Sequence, residues 1–360
     1  IGHLVVPALD SMQNRPASLS KPMVTSWLKE KLGFEGLVIT DALDMKGVTK
    51  NFQKGEIEVL ALKAGVDVLL LSEDVPVSIA AIKKALKDGK LTAERIDESV
   101  RKILEAKYRF GLTGSVNIST ANLASDLVTG EARALNQKII EQAITMVKNA
   151  DGLVPIGNIE KKISTLAIGA STKTPFQQQV DAYCKASHFF FNKETSSSLS
   201  EKLSGMDLVI VGITGMNNSL KDNFRISKDA VALVNQLSKK TKVIVVVFGN
   251  PYGLSNFVSP STVICAYNDD ALSQSLGIQA VFGGLPINGK LPVTALPYPF
   301  ESGLQVSEAT RISFGEPESV GMDSGTLAKL DELARDLVSR QAAPGCEMLV
   351  IRDGKVVYNK

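Results

Sequence analysis

Short apolar runs alternate with amphipathic stretches along the first third of the chain. The runs at 37–40 and 66–71 are rich in aliphatic residues, and each follows a helical stretch that ends at a glycine, Gly33 or Gly65. A carboxylate, Asp41, directly follows the first run. This order is typical of parallel α/β folds, in which functional side chains lie on loops that leave the carboxyl ends of the strands. Asp41 is therefore the first candidate for chemistry.

The same patterns predict the remaining elements. Strands are predicted at 4–6, 37–40, 66–71, 165–168, 208–211, 243–248 and 263–267, and the one at 37–40 is expected to be fully buried. Helices are predicted at 20–32, 56–64, 79–86, 93–110, 131–148, 176–185, 227–237, 271–282 and 323–340. Three strand–helix units near the start are too few to close a barrel. The sequence predicts the α/β class: a partial (β/α)8 barrel of the TIM type, then an α/β sandwich with a doubly wound sheet.

The chain divides into three predicted domains. Periodicity is lost at 115–135 and 301–321, which we interpret as linkers. They separate the barrel portion (1–114) from the sandwich domain (136–300) and from a third segment (322–360). The chain lacks an initiator Met, begins inside an apolar stretch and stops inside a strand-like one. We therefore expect an internal fragment of a longer protein.

Composition narrows the function classes. Of the 360 residues, 44% are hydrophobic and 22% are charged, which is ordinary for a folded globular protein. The 40 basic and 38 acidic residues give a net charge of +2, which argues against a broad surface for nucleic acid or anionic membranes. The 3 separated cysteines and 2 histidines indicate neither a disulfide framework nor a multi-histidine metal site, so no metal or cofactor is predicted. No apolar run approaches the ~20 residues needed to cross a membrane.

Asp41 has several roles open to it on pattern alone. A carboxylate at the end of a strand can be a nucleophile, a general base, a metal ligand or a helix cap. Capping is common, but Met45-Lys46-Gly47 is unlike the opening of a helix, which favours a functional Asp41. Asp44 could supply a second carboxylate or stabilise a turn.

Residues 1–300 resemble the family-3 glycoside hydrolases, especially their β-N-acetylhexosaminidase branch. The resemblance lies in four stretches: Pro-Ala-Ser-Leu-Ser at 16–20, Leu-Gly-Phe-Glu-Gly-Leu-Val-Ile-Thr-Asp-Ala-Leu-Asp-Met at 32–45, 143–149 with 153–155, and 283–293. The second is the most specific, and the resemblance implies that Asp41 is the catalytic nucleophile. It also implies that His3 and Met45 bind the sugar, with a packed histidine bonded to backbone as an equal alternative for His3.

The resemblance implies a retaining mechanism, which needs two carboxyl-type functions about 5 Å apart. In the hexosaminidase branch the acid/base is a His-Asp dyad that follows a Lys-His motif. Neither histidine of this chain follows a lysine, so the dyad is expected before Ile1. In the β-glucosidase branch a Glu of the second domain serves instead, and Glu194 and Glu201 are candidates by location alone, with surface charges as the alternative.

The expected activity is removal of terminal non-reducing β-N-acetylhexosamine from a carbohydrate substrate, such as an N-acetylglucosaminide derived from peptidoglycan. The 360 residues by themselves are expected to hydrolyse it inefficiently. The alternatives are a β-glucosidase or β-xylosidase of the same family, and an inactive sugar-binding module.

The end of the chain carries a second resemblance. Pro344-Gly345 and the apolar runs at 348–352 and 355–358, which flank Asp353-Gly354, resemble the start of a serine β-lactamase-like hydrolase domain. An Asp-Gly pair between apolar runs also predicts a β-hairpin. The nucleophilic Ser-x-x-Lys of that family would follow residue 360. This pairing of domains suggests a wall-directed bacterial enzyme of the periplasm or cell envelope.

Overall fold

The computed structural model of the chain describes residues 1–112, 114, 119–192, 194 and 196–360. These residues form two compact units, Ile1–Thr120 and Ala121–Lys360. Residues 115–118, at the start of the predicted linker 115–135, lie outside the described part.

The first unit consists of helices packed against short extended segments. The helices predicted in this region are present. The Thr92 hydroxyl accepts the amide of Arg95 (3.2 Å) at the start of the longest helix, and Gly65 ends another helix with a left-handed φ of +108°. The elements are a 3-10 turn at Ala17–Leu19, a π-helix at Pro22–Lys31, α1 (Lys46–Thr49), α2 (Glu56–Ala64), α3 (Val75–Lys87) and α4 (Ala93–Arg109).

Three extended stretches of the first unit lie side by side and parallel. The amide of Asp41 donates to the Ile1 carbonyl (2.9 Å), and the amide of Thr40 donates to the Val68 carbonyl (3.1 Å). The predictions of strands at 37–40 and 66–71 are wrong in part, because a single parallel bridge between Ile39 and Val68 joins them and neither forms a regular strand. The segment 37–40 is also not fully buried, because Val38 is 3% exposed but Ile39 is 44% exposed. Alternate side chains of an extended segment point to opposite faces, and here only one face is covered. Among the described residues these stretches form no closed barrel.

Residues 4–6 do not form the predicted strand. Their carbonyl groups accept hydrogen bonds from the loop that follows: the Leu4 carbonyl accepts the amide of Ala17 (2.8 Å), and the Val6 carbonyl accepts that of Leu9 (3.0 Å). Leu4 is 73% exposed. The apolar run in this segment therefore does not lead to strand pairing.

The core of the first unit lies between α2, the loop before the π-helix and the parallel segments. Its buried side chains come from all of these elements, so the helices hold the segments in place. They are Leu19, Val24, Val38, Leu43, Val48, Ile57, Ala61, Ala64 and Val66.

The second unit contains a six-stranded sheet with helices on both faces. Its elements are α5 (Leu123–Leu127), α6 (Gly130–Ala143), β1 (Thr145–Asn149), β2 (Ile163–Ile168), α7 (Pro175–Asp181), β3 (Ser187–Phe190), α8 (Ser196–Ser204), β4 (Leu208–Ile213), α9 (Lys228–Ser238), β5 (Lys242–Val247), β6 (Thr262–Cys265) and α10 (Ala271–Phe282). The strand order is β1-β6-β5-β4-β2-β3, with β1 antiparallel to β6 and the other pairs parallel. The α/β class is confirmed.

The strands predicted for this sheet are confirmed, but the helix predicted at 131–148 is partly wrong. It ends at Ala143, and the next residues form β1, in which Thr145 pairs with Cys265 of β6. An apolar run of this length suits either a helix or a strand, and pairing with a distant strand decides between them.

A smaller sheet follows in the second unit. It consists of β7 (Ser313–Phe314), β8 (Leu349–Arg352) and β9 (Lys355–Asn359), in the order β7-β9-β8, and it packs against α11 (Ser324–Ser339). Asp353 and Gly354 have φ values of +50° and +72°, so the predicted hairpin is confirmed with a two-residue turn. Strand β7 lies inside the segment predicted as the second linker, 301–321, and pairs with β9.

Candidate active site

Asp41 lies at the end of the middle parallel segment, with its side chain exposed to solvent. Its Oδ1 accepts the amide of the next residue, Ala42, at 2.9 Å. Its own amide donates to Ile1, and the neighbouring Thr40 hydroxyl accepts the amide of Leu70 (2.9 Å). The backbone is thus fixed on both sides while the carboxylate remains accessible.

His3 is bonded to the same residue that holds the Asp41 carboxylate. Its Nε2 lies 2.9 Å from the Ala42 carbonyl oxygen, and its Nδ1 lies 2.7 Å from Ser18 Oγ. A carbonyl oxygen can only accept, so Nε2 carries a proton, and in the neutral ring Nδ1 accepts the Ser18 hydroxyl. His3 is therefore bonded to backbone, as its alternative reading proposed, and this bond places it beside the candidate nucleophile.

Met45 also contacts the Ala42 carbonyl group. Its amide lies 3.3 Å from the Ala42 oxygen, and its side chain is 46% exposed. It precedes α1, so the prediction that no helix opens here is wrong. Asp41 does not cap that helix, because Met45 occupies the N-cap position. Asp41, His3 and Met45 thus all form contacts with the backbone of Ala42. The sequence pattern did not identify Ala42 as part of the site.

Asp44 has an exposed side chain. Within the described residues it takes part in no hydrogen bond or ion pair. It lies three residues after Asp41 and carries the same functional group. Unlike the Asp41 carboxylate, its carboxylate accepts no hydrogen bond from the described residues.

The loop that carries Ser18 is anchored by a buried carboxylate. Asp10 is 6% exposed, and Arg15 donates to it from Nε and Nη2 at 2.7 Å each, while the Ser20 hydroxyl donates as well. Hydrogen bonds from Arg15 hold the pKa of the Asp10 carboxyl well below its usual range, although burial opposes the shift. Sequence reasoning missed this pair, which positions the Ser18 partner of His3.

A second buried carboxylate joins the parallel segments to α4. Asp67 accepts the amide of Val38 (3.0 Å) and the hydroxyl of Ser99 (2.6 Å). Lys29 lies 3.9 Å and Arg95 lies 3.4 Å from its two oxygens. The network fixes the segment that ends at Asp41 relative to its neighbour.

The remaining sequence candidates lie in the second unit. Glu194 and Glu201 are exposed, which fits the surface alternative. His188 on β3 is bonded through Nδ1 to Thr165 (2.8 Å) and through Nε2 to Asp181 (3.0 Å), so it serves to hold the sheet edge. Among the described ranges there is no cluster of three or more metal-ligating side chains, and no helix there is long and apolar enough to cross a bilayer.

Comparison with known proteins gives a family match in the first unit. Residues 1–106 match the family described as glycosyl hydrolase family 3 N terminal domain. A β-N-acetylglucosaminidase/β-glucosidase of Cellulomonas fimi is 24% identical over 322 residues, which cover 82% of this chain and 57% of that protein. A β-hexosaminidase A of Pseudoalteromonas piscicida is 28% identical over 207 residues, 51% of this chain and 33% of that protein. The chain thus spans little more than half of one relative and a third of the other.

A solved structure shares the fold. The family-3 β-N-acetylglucosaminidase from Paenibacillus sp. str. FPU-7 superposes with a TM-score of 0.62 at 23% identity, over 80% of this chain and 56% of that one. At this identity the likeness is one of fold. The family match covers residues 1–106, and this range contains Asp41, His3 and Met45.

Proposed function

We propose that this chain supplies the nucleophile of a retaining β-glycosidase, with Asp41 in that role. One observation supports this most: an exposed carboxylate, fixed by the Ala42 amide at 2.9 Å, lies at the carboxyl end of a parallel segment inside the family-matched region. A nucleophile needs that combination of access and fixed position.

The mechanism follows from the chemistry of a retaining site. Asp41 attacks the anomeric carbon while a second group protonates the leaving oxygen, and water then hydrolyses the glycosyl-enzyme. His3 does not itself carry the reaction here. It holds the Ala42 carbonyl, and through that residue it orients the Asp41 carboxylate.

The substrate we propose is a glycoside ending in β-N-acetylhexosamine, such as an N-acetylglucosaminide derived from peptidoglycan. The names of both relatives and of the solved structure support it. A β-glucoside is the second candidate, because the Cellulomonas protein is named for both activities.

The acid/base group is proposed to come from a part of the longer protein outside these 360 residues, where the three parallel segments would join a (β/α)8 barrel. Neither histidine of this chain follows a lysine, so the Lys-His motif is not within it. For the chain by itself we accordingly propose slow turnover.

Residues 322–360 are proposed to be the start of a serine β-lactamase-like domain, in a protein of the periplasm or cell envelope. The order of α11 and the β8–β9 hairpin supports this. A fluorescent penicillin that acylates a serine of the longer protein after residue 360 would agree with it, and the lack of any Ser-x-x-Lys there would rule it out.

Two matched variants of the longer protein test the proposed function. Asp41→Ala should lower kcat/KM on an aryl β-N-acetylglucosaminide by about 10³-fold or more, because the attacking group is removed. Asp44→Ala removes the same group three residues away and should retain activity. Equal rates for Asp41→Ala and the unchanged protein would reject the proposal. Parallel assays with an aryl β-glucoside decide between the two substrates.

A further inference from the structure

A cavity of about 320 Å³ in the first unit is lined by cationic side chains and by no acidic one. It lies between the loop before the π-helix, α2 and the start of α4. Its lining consists of Arg15, Leu19, Lys21, Leu60, Lys63, Ala64, Lys90, Leu91, Thr92 and Arg95. Its size is at the lower end of the range for small-molecule pockets.

Two of the five cations already have carboxylate partners. Arg15 is paired with Asp10 at 2.7 Å, and Arg95 lies 3.4 Å from Asp67. Arg15 still has a free donor, because its Nη1 makes no hydrogen bond among the described residues.

The three lysines of the lining have no such partner. Within the described part of the chain, Lys21, Lys63 and Lys90 make neither an ion pair nor a side-chain hydrogen bond. The cavity lining therefore carries a surplus of positive charge, which Asp88 offsets in part at Lys90.

Helix dipoles favour a cation at two of these lysines. Lys63 lies in the last turn of α2, and Lys90 directly follows α3, where its amide donates to the Ala85 carbonyl (2.9 Å). Lys21 occupies the N-cap position of the π-helix, at its positive end, where a cation is disfavoured. Lys21 therefore adds to the positive potential of the cavity without a helix dipole that would stabilise it.

The walls strengthen this potential. Leu19 and Leu91 are 2% and 5% exposed, so the cations surround a concave surface with an apolar floor. Apolar walls concentrate the field of surrounding charges and raise the local concentration of counter-ions.

We propose that this cavity binds a phosphate group, either as inorganic phosphate or as the phosphate of a small ester. A tetrahedral dianion neutralises most of the surplus charge and accepts hydrogen bonds from several directions, which suits three ammonium groups and the free Arg15 nitrogen. The site is separate from Asp41 and does not depend on the proposed glycosidase activity.

A neighbouring cavity gives an ester room for its organic part. It measures about 730 Å³ and shares Leu60, Lys63 and Lys90 with the first. Its lining includes the apolar side chains of Val59, Ala81 and Ala85, together with the charged side chains of Glu56, Lys84 and Asp88.

Calorimetric titration of the 360-residue chain tests the proposal, with inorganic phosphate in one arm and glucose 6-phosphate in the other, at constant ionic strength set with sodium chloride. Lys63→Gln/Lys90→Gln should weaken binding by about tenfold or more, because each lost ammonium removes a charge-assisted hydrogen bond. Lys50→Gln/Lys83→Gln changes the charge equally at exposed positions outside the cavity and should bind like the unchanged chain. The compound that binds with the lower Kd shows whether free phosphate or an ester is the ligand.

Thermal melting checks that a loss of binding does not come from a loss of folding. Removing two like charges from the cluster should leave the melting temperature in chloride equal or higher, and phosphate should raise it for the unchanged chain but not for the Lys63/Lys90 variant. No heat of binding in either arm would overturn the proposal, as would equal affinity of the two double variants.

Discussion

His3 Nε2 lies 2.9 Å from the carbonyl oxygen of Ala42, the residue whose amide also holds the Asp41 carboxylate. A side chain 39 positions away along the chain thus fixes the backbone directly after the candidate nucleophile. This hydrogen bond connects His3 to the candidate nucleophile through Ala42.

His3→Ala should lower kcat of the proposed longer protein by about tenfold or more, because the loop after Asp41 loses its hydrogen bond to the imidazole. His3→Gln, whose amide nitrogen can donate to the same carbonyl, should recover part of the loss. A purely structural role would lower melting temperature and leave kcat of the folded fraction unchanged. His188→Gln, at the other histidine, is the control and should keep full activity.

Asp67→Asn should lower the free energy of unfolding by about 3 kcal/mol at pH 7, because Lys29 and Arg95 then face no buried counter-charge. Burial alone would raise the pKa of Asp67, but the Ser99 hydroxyl, the Val38 amide and the Lys29 charge lower it below its usual value of 3.8. A lowered pKa gives stability that is present above pH 3.8 and is lost as the pH falls through the folded-state pKa. Denaturant unfolding should show the variant and the unchanged chain converging below about pH 4; a difference that stays constant with pH would contradict the role of the charge.

Gly354→Ala should destabilise the β8–β9 hairpin by about 1–2 kcal/mol, since the left-handed conformation at φ +72° penalises a Cβ atom. Hydrogen exchange should show weaker protection of the β8–β9 amides. Gly345→Ala makes the same substitution at a glycine that also has open space around it but is outside the left-handed region, and it should leave the exchange unchanged. Equal protection in both variants would mean that the turn does not need its glycine.

Gly212→Ala should cost about 1–3 kcal/mol in the second unit, because a Cβ on β4 would overlap the Phe176 ring in a filled core. Gly205→Ala, where a Cβ meets no side chain within 4 Å, is the matched control. A thermal melt that shows the two variants equally stable would contradict the close packing of β4 against α7.

Local chemistry explains which elements could be predicted. Helix α2 begins and ends where the pattern predicted, because Gly65 stops it in a left-handed conformation, and α10 does so because Gly283 adopts a φ of +82°. Strand β1 was missed because its identity depends on pairing with Cys265 and its neighbours, 120 positions later (145 to 265). The hydrogen bond between His3 and Ala42 could not be predicted either, because no spacing in the sequence indicates which carbonyl group a histidine will contact.

Trapping the glycosyl-enzyme tests the central claim most directly. A 5-fluoro-N-acetylglucosaminyl fluoride slows both chemical steps by disfavouring the oxocarbenium-like transition state, while its good leaving group lets the covalent intermediate accumulate. After tryptic digestion of the treated protein, in the longer form proposed above, the sugar should be found on the peptide 32–46, which follows Lys31 and ends at Lys46, and fragment ions should place it on Asp41. An adduct on Asp44 or on any other peptide would contradict the assignment of Asp41 as the nucleophile.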